Sequence, residues 1–305
     1  RRHTRYWRDW SSDVCSSDLV ATAREMTGSV RLACQEKWHA LLRLLLPPTT
    51  GLIPVTLPYT LRDKPSRWRR GPVRAMETGP CEVLSIRGDP RDWLAARDLF
   101  PRGKIRMSGW CQFGPHYTRL LDWPFATGLV PVRNRYRAWA ELAGVPFARL
   151  EESCRVKPAT GPVVIHVGAS RRSRQYPHVR ALRDDLRSRG EPVQLLAAPG
   201  DLLPAGIEEA DVSRVTDKAL LDALTQAKLV ITNDSASMHL AGLLGCRTVV
   251  VARVTNIAEW RPPGVQVVAS PQMPRGYRKD SRSNTDLVLE GWPTPAEVLA
   301  AHFNS

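Results

Sequence analysis

From Pro162 to Val251 the chain repeats one pattern: a short apolar run, a loop, then a helical stretch of roughly ten residues. The apolar runs are Pro162–Val167 (PVVIHV), Pro192–Ala197, Lys228–Thr232 (KLVIT) and Arg247–Val251 (RTVVV). Apolar spacing predicts helices over His178–Arg189, Asp217–Ala227 and Met238–Leu244, with Gly190 and Gly245 as stop signals. Strands that alternate with helices in this way predict an α/β fold with a doubly wound parallel sheet. In such a sheet a ligand sits at the carboxyl ends of the strands, where the intervening loops fall.

The first half is less regular. Strands are expected at Val30–Cys34, Gly51–Leu57 and Glu82–Ile86, and helices at Glu36–Leu46, Asp92–Leu99 and Arg135–Ala143, the last stopped by Gly144. A loop-rich stretch runs to about Asn134. Residues 1–19 show no periodicity, and the SSDVC–SSDL repeat marks them as non-native. The expected organisation is therefore that segment, an N-terminal domain over 20–155, a C-terminal domain over 156–293 and a final helix over 294–305. A linker lies near Glu151–Gly161, and Thr294 with Glu297 forms a capping box for the last helix.

At 305 residues there is room for two domains, and no apolar run is long enough for a transmembrane helix. The six cysteines form no CxxC or metal-ligand spacing, which points to a reducing, cytoplasmic setting without metal. The formal charge of +14 suits anionic partners: phosphates, acidic lipid headgroups or nucleic acid. Nucleic acid is the weaker of these readings, because no RNP motif, KH loop, zinc finger or helix-turn-helix is present.

Chemistry concentrates in two loops. Ile231–Val251 (ITNDSASMHLAGLLGCRTVVV) carries Asp234 and Ser235 from a strand to a helix start, with His239 in the first turns. Backbone N–H groups at a helix N-terminus favour an anion, and Ser235 and Ser237 add hydroxyl donors, a set that suits a diphosphate. Read without a ligand, Asp234 is simply an N-cap and His239 a buried histidine. His166–Pro177 (HVGASRRSRQYP) ends another strand. Its Gly168 admits a close approach, and Arg171, Arg172 and Arg174 could neutralise a departing diphosphate.

These two segments resemble glycosyltransferase family 9, the ADP-heptose:lipopolysaccharide heptosyltransferases. The resemblance rests on TNDSASMHLAGLLGCRTVVV, on VVIHVGASRRSRQYP, on Thr255 with Trp260-Arg261-Pro262, and on CEVLSIRGDPRDWLAARDLFP upstream. It implies a GT-B fold of two Rossmann-like domains with a cleft between them. It also implies inverting, metal-independent transfer of a sugar, heptose from ADP-heptose, to a lipopolysaccharide core or related glycan. The nucleotide sugar is a substrate and no cofactor is implied. The setting would be the cytoplasmic face of the inner membrane, with peripheral contact to anionic lipid. By position, Gly168, Ser170, Arg174, Asp201, Asp234, Ser235, Ala236, His239 and Thr255 would line the donor site. Arg174 would stabilise the leaving phosphates where the family usually has lysine. Asp201 would orient the nucleoside or sugar.

Three departures bear on this reading. Ala236 and Ser237 replace the motif's glycine and proline. Arg253 stands near Thr255 where a glycine is usual, and is expected either to clash with the donor or to touch its phosphates. The family's first strand and glycine-rich loop, with its general base, have no counterpart, since Val30–Cys34 matches the second strand. Asp13, Asp18 and Asp89 are poor substitutes, and Asp89 reads as a turn residue before Pro90. A truncated, non-catalytic homologue that binds nucleotide sugar is therefore the alternative.

Overall fold

The computed structural model describes residues 15–34, 36–54, 81–85, 97–101, 103–109, 119–120, 134–169, 172–253, 257–270 and 290–303. The chain divides into two compact units: among the described residues, Thr22–Phe147 belong to the first, and Ala148–Ser305 together with the residues up to Ala21 to the second.

In the first unit β1 (Arg31–Cys34) pairs in parallel with β2 (Gly51–Pro54). A second parallel set joins β3 (Cys81–Ser85), β4 (Gly103–Gly109) and β5 (Arg119–Leu120). The loop-rich stretch expected before Asn134 thus contains strand β4, whose sequence GKIRMSG has too few apolar residues to signal one.

Helix α1 (Cys15–Glu25) begins inside the segment whose sequence shows no periodicity. Ser17 and Asp18 are buried in it beside Val20 and Ala21. Helix α2 (His39–Leu45) buries Leu41, Leu42 and Leu45, and α3 (Arg135–Ala143) ends at Gly144 in the left-handed conformation, as its sequence predicts. Asn134 caps α3, its side chain accepting from the N–H groups of Tyr136 and Arg137.

The second unit holds one six-stranded, wholly parallel sheet, formed by β6 (Val163–His166), β7 (Val193–Ala197), β8 (Val212–Arg214), β9 (Leu229–Asn233), β10 (Thr248–Ala252) and β11 (Gln266–Ala269). Its spatial order is β11-β10-β9-β6-β7-β8. Numbered within the unit this is 3-2-1-4-5-6, the Rossmann order, and the direction of winding reverses between β6 and β9.

Both faces of the sheet are covered, so the central strands are apolar on both sides. Val249 and Val251 of β10 join a core with Ile165, Leu195, Ile231 and Leu182. Val250 and Ala252 point the other way, into a cluster with Met238 and Val265. Leu182 and Leu186 come from α5 (Val179–Ser188), and Val298 and Leu299 from α9 (Pro295–Phe303). Each such fully buried aliphatic side chain contributes about 1.5–3 kcal/mol relative to exposure. The predicted capping box of α9 is present: Thr294 N–H and Oγ1 both donate to Glu297 Oε2, and Glu297 N–H donates to Thr294 Oγ1.

Three further helices complete the windings, α6 (Asp217–Gln226), α7 (Ala236–Leu244) and the short α8 (Ile257–Trp260). Helix α4 (Phe147–Ser153) runs into the expected linker, which begins near Glu151. Only Leu150 of α4 is buried, and a helix without an apolar stripe leaves little periodic signal. Among the described residues no helix is long and apolar enough to cross a membrane.

Candidate functional site

The winding reverses between β6 and β9, and in sheets of this order a ligand binds outside the carboxyl ends of the two strands at the reversal. Both loops singled out in the sequence end there. After β6 come Val167 and Gly168; after β9 come Asp234 and Ser235, the last being the N-cap of α7. Asp234 therefore stands one residue ahead of the cap, which corrects its reading as the N-cap itself. Ser235 has extended backbone angles, and its hydroxyl lies 3.1 Å from Thr232 Oγ1 and makes no cap bond to the helix. The first N–H groups of α7 thus receive no side-chain cap from Ser235, which leaves that helix end suited to an external anion.

Asp234 is 4% exposed, and Arg174 Nη1 lies 3.7 Å from its Oδ2. Arg174 ends a 3-10 turn, Arg172–Arg174, on the loop after β6. The guanidinium expected to meet a diphosphate is thus at the head of α7. Ala236 opens that helix. His239, four residues beyond Ser235 and on the same helix face, is buried, as is Ser237.

What holds these loops together is Asn233, which sequence reasoning did not single out. Its buried side-chain Oδ1 accepts the Tyr176 N–H at 3.2 Å. Its Nδ2 donates, in longer contacts, to the carbonyls of Val167 and Gly168 at 3.5 and 3.4 Å. One amide thereby joins the end of β6, the residues just after Arg174, and the strand that carries Asp234. No local pattern announces this, because it depends on the pairing of β6 with β9 across more than fifty residues.

Asp201 follows β7, on the far side of β6. Ala198-Pro199-Gly200-Asp201 is a turn closed by Asp201 N–H donating to the Ala198 carbonyl at 3.1 Å, with Gly200 at φ +81°. Proline second and a positive-φ glycine third are the residues a type II turn requires. Asp201 Oδ2 accepts from the Ala198 N–H, and Arg214 Nη1 donates to the carbonyls of Ala198 and Asp201.

At Gly168 a Cβ would lie 2.1 Å from Asp201 Oδ2, so the missing side chain makes room for this carboxylate. His166, buried beneath, has Nε2 4.0 Å from the same oxygen. Burial pushes the His166 imidazole down to about 4, so it is neutral near pH 7.

Arg253, at the end of β10, donates from Nε to the Glu290 carbonyl at 2.8 Å. It braces the chain leading into α9, an outcome that neither sequence-based expectation covered. Ser170 and Thr255 lie outside the described residues, as do Arg171, Asp13 and Asp89. Among the described residues no group of three or more His, Cys, Asp or Glu could hold a metal ion. Cys154 and Cys246 are buried and form no disulfide, and burial raises the Cys246 thiol to about 11.

The sequence model of glycosyltransferase family 9 (heptosyltransferase) matches residues 146–286, a little under half of the chain. The second unit carries a glycosyltransferase family 9 domain. Three solved structures share the fold of the chain. Escherichia coli ADP-heptose lipopolysaccharide heptosyltransferase II is 16% identical, with TM-score 0.57 over 97% of this chain and 96% of that one. A family 9 glycosyltransferase from Veillonella parvula is 14% identical, with TM-score 0.58 over 97% and 94%. The E. coli heptosyltransferase WaaC, solved with ADP, is 14% identical, with TM-score 0.53 over 84% and 90%. At such identities the likeness is one of fold, the mixed α/β parallel-sheet fold of these GT-B enzymes. Among the curated proteins no sequence matches the chain.

Proposed function

We propose that this family 9 chain transfers a sugar, heptose from ADP-heptose, to a lipopolysaccharide core or related glycan. The transfer is inverting and needs no metal or cofactor. The observation that carries this reading is the Arg174–Asp234 pair at the head of α7, on the switch point of a Rossmann-type sheet.

In this reading the donor's diphosphate lies along the first turn of α7, where backbone N–H groups and the helix dipole favour negative charge. Arg174 supplies the charge-assisted contact that strengthens as the glycosidic bond breaks and negative charge gathers on the leaving phosphate. Ser235 and His239 shape the floor below, and Ala236 replaces a glycine with the smallest side chain available. Asp201 takes the ribose or sugar hydroxyls. It stands after the second strand of the unit, the place from which an acidic residue binds ribose in dinucleotide-binding Rossmann folds. Ser170 and Thr255 complete the donor site. The +14 charge suits phosphorylated acceptors and anionic lipid at the cytoplasmic face of the inner membrane.

Calorimetric titration of ADP, UDP and GDP into the chain tests the site. ADP is expected to bind best, and Asp234→Ala to weaken it by about tenfold or more, as loss of one charge-assisted partner does. Failure of a folded chain to bind any nucleotide, or unchanged affinity in the variant, would overturn the assignment.

A further inference from the structure

We propose that Leu202 is the contact surface for the nucleobase of the donor and favours a purine, an inference that rests on the nucleotide-sugar reading above. A lone exposed leucine is ordinary on a protein surface. Leu202 differs in where it sits and in how firmly its backbone is held.

It directly follows Asp201 at the ligand edge of the sheet and is 41% exposed. Three constraints fix its main chain. Leu202 forms an antiparallel bridge with Ala169 of the loop after β6. Its carbonyl accepts from the buried Gln175 Nε2 at 2.6 Å, and the residue before it is fixed by the closed turn and by Arg214. In this extended segment successive side chains alternate, so Leu203 packs against the core while Leu202 faces outward. The result is an apolar side chain on a fixed backbone beside a carboxylate.

The spacing agrees with a nucleotide laid across the strand ends. From β9, where the diphosphate would sit, to β7 is two strand spacings, roughly 10 Å. A ligand anchored by its phosphates at α7 would bring its ribose over β6 toward Asp201 and its base onto Leu202. Apolar side chains that need no reordering bind planar rings without losing conformational freedom, and the larger purine ring covers more of such a surface.

Calorimetry with ADP, UDP and inorganic pyrophosphate, on the full chain and on Leu202→Ala, tests the proposal, with melting temperature as the folding control. The variant is expected to bind ADP about tenfold more weakly, the low end of the range for losing one apolar contact. Its pyrophosphate affinity should be unchanged, and the preference for ADP over UDP should shrink. Unchanged ADP affinity, or equal losses for ADP and pyrophosphate, would overturn the role of Leu202 while leaving the donor site standing. A wild-type chain that binds neither ligand would overturn the nucleotide-sugar reading itself, and this proposal with it.

Discussion

The side-chain amide of Asn233 accepts the backbone N–H of Tyr176 at 3.2 Å, and so fixes the loop that carries Arg174 against the strand that delivers Asp234. Asn233→Asp keeps the shape and this acceptor but loses both hydrogens donated to Val167 and Gly168. Leaving such buried groups unpaired costs about 1–3 kcal/mol, so the urea midpoint should fall accordingly, with weaker ADP binding. An unchanged midpoint would mean that the amide hydrogens hold nothing.

Gly168→Ala places a methyl group where Asp201 stands, 2.1 Å from Oδ2 and 2.8 Å from Cβ. The expected result is a marked loss of stability together with loss of ADP affinity. Combined with Asp201→Gly, which empties that space, the alanine should cost almost nothing more. Neighbouring sites that share one clash are not additive. Additive losses in the thermal melts of the two single variants and the double variant would refute this contact.

His166 makes stability depend on pH. Its folded value of about 4 lies below the ordinary 6.5, so between these values the unfolded chain binds the extra proton. Its contribution is therefore fully present above pH 6.5 and is lost as pH falls toward 4, amounting to about 3 kcal/mol at most. Comparing melts of wild type and His166→Gln from pH 4 to 8 should show a shallower acid slope in the variant. Parallel curves would exclude His166 as the source.

Two helix-stop glycines of the second unit should respond differently to alanine. Gly190 has φ +79° and open space around its Cβ position, so only left-handed backbone strain of about 1 kcal/mol is expected. Gly245 has φ +73° and would also drive its Cβ to 2.4 Å from the Arg155 carbonyl oxygen. Its variant should lose several times more in denaturant unfolding, and equal losses would show that the segment around Arg155 yields freely.

The second unit was largely legible because its strands are short apolar runs set between glycine-stopped helices. β6, β7, β9 and β10 fall within a residue or so of their expected bounds. β8 and β11 escaped notice. VSR and QVVA are too short, and too varied in burial, to show periodicity. The charged candidates Arg174, Asp201 and Asp234 stood out in the sequence because they occupy loops at strand ends. Their supports did not, since Gly168 against Asp201 and Asn233 against Tyr176 are encounters created by strand order. In the first half, the polar β4 shows that a strand can form where local propensity gives no sign of it.

The resting pair of Arg174 with Asp234 means that an incoming anion does not meet a bare cation. It must share that cation with an internal carboxylate, so entry adds a second partner rather than making a simple neutralisation. Fewer counterions are then released per ligand bound, and affinity should decline only gently as salt rises. The guanidinium would be held ready by a carboxylate that does not leave.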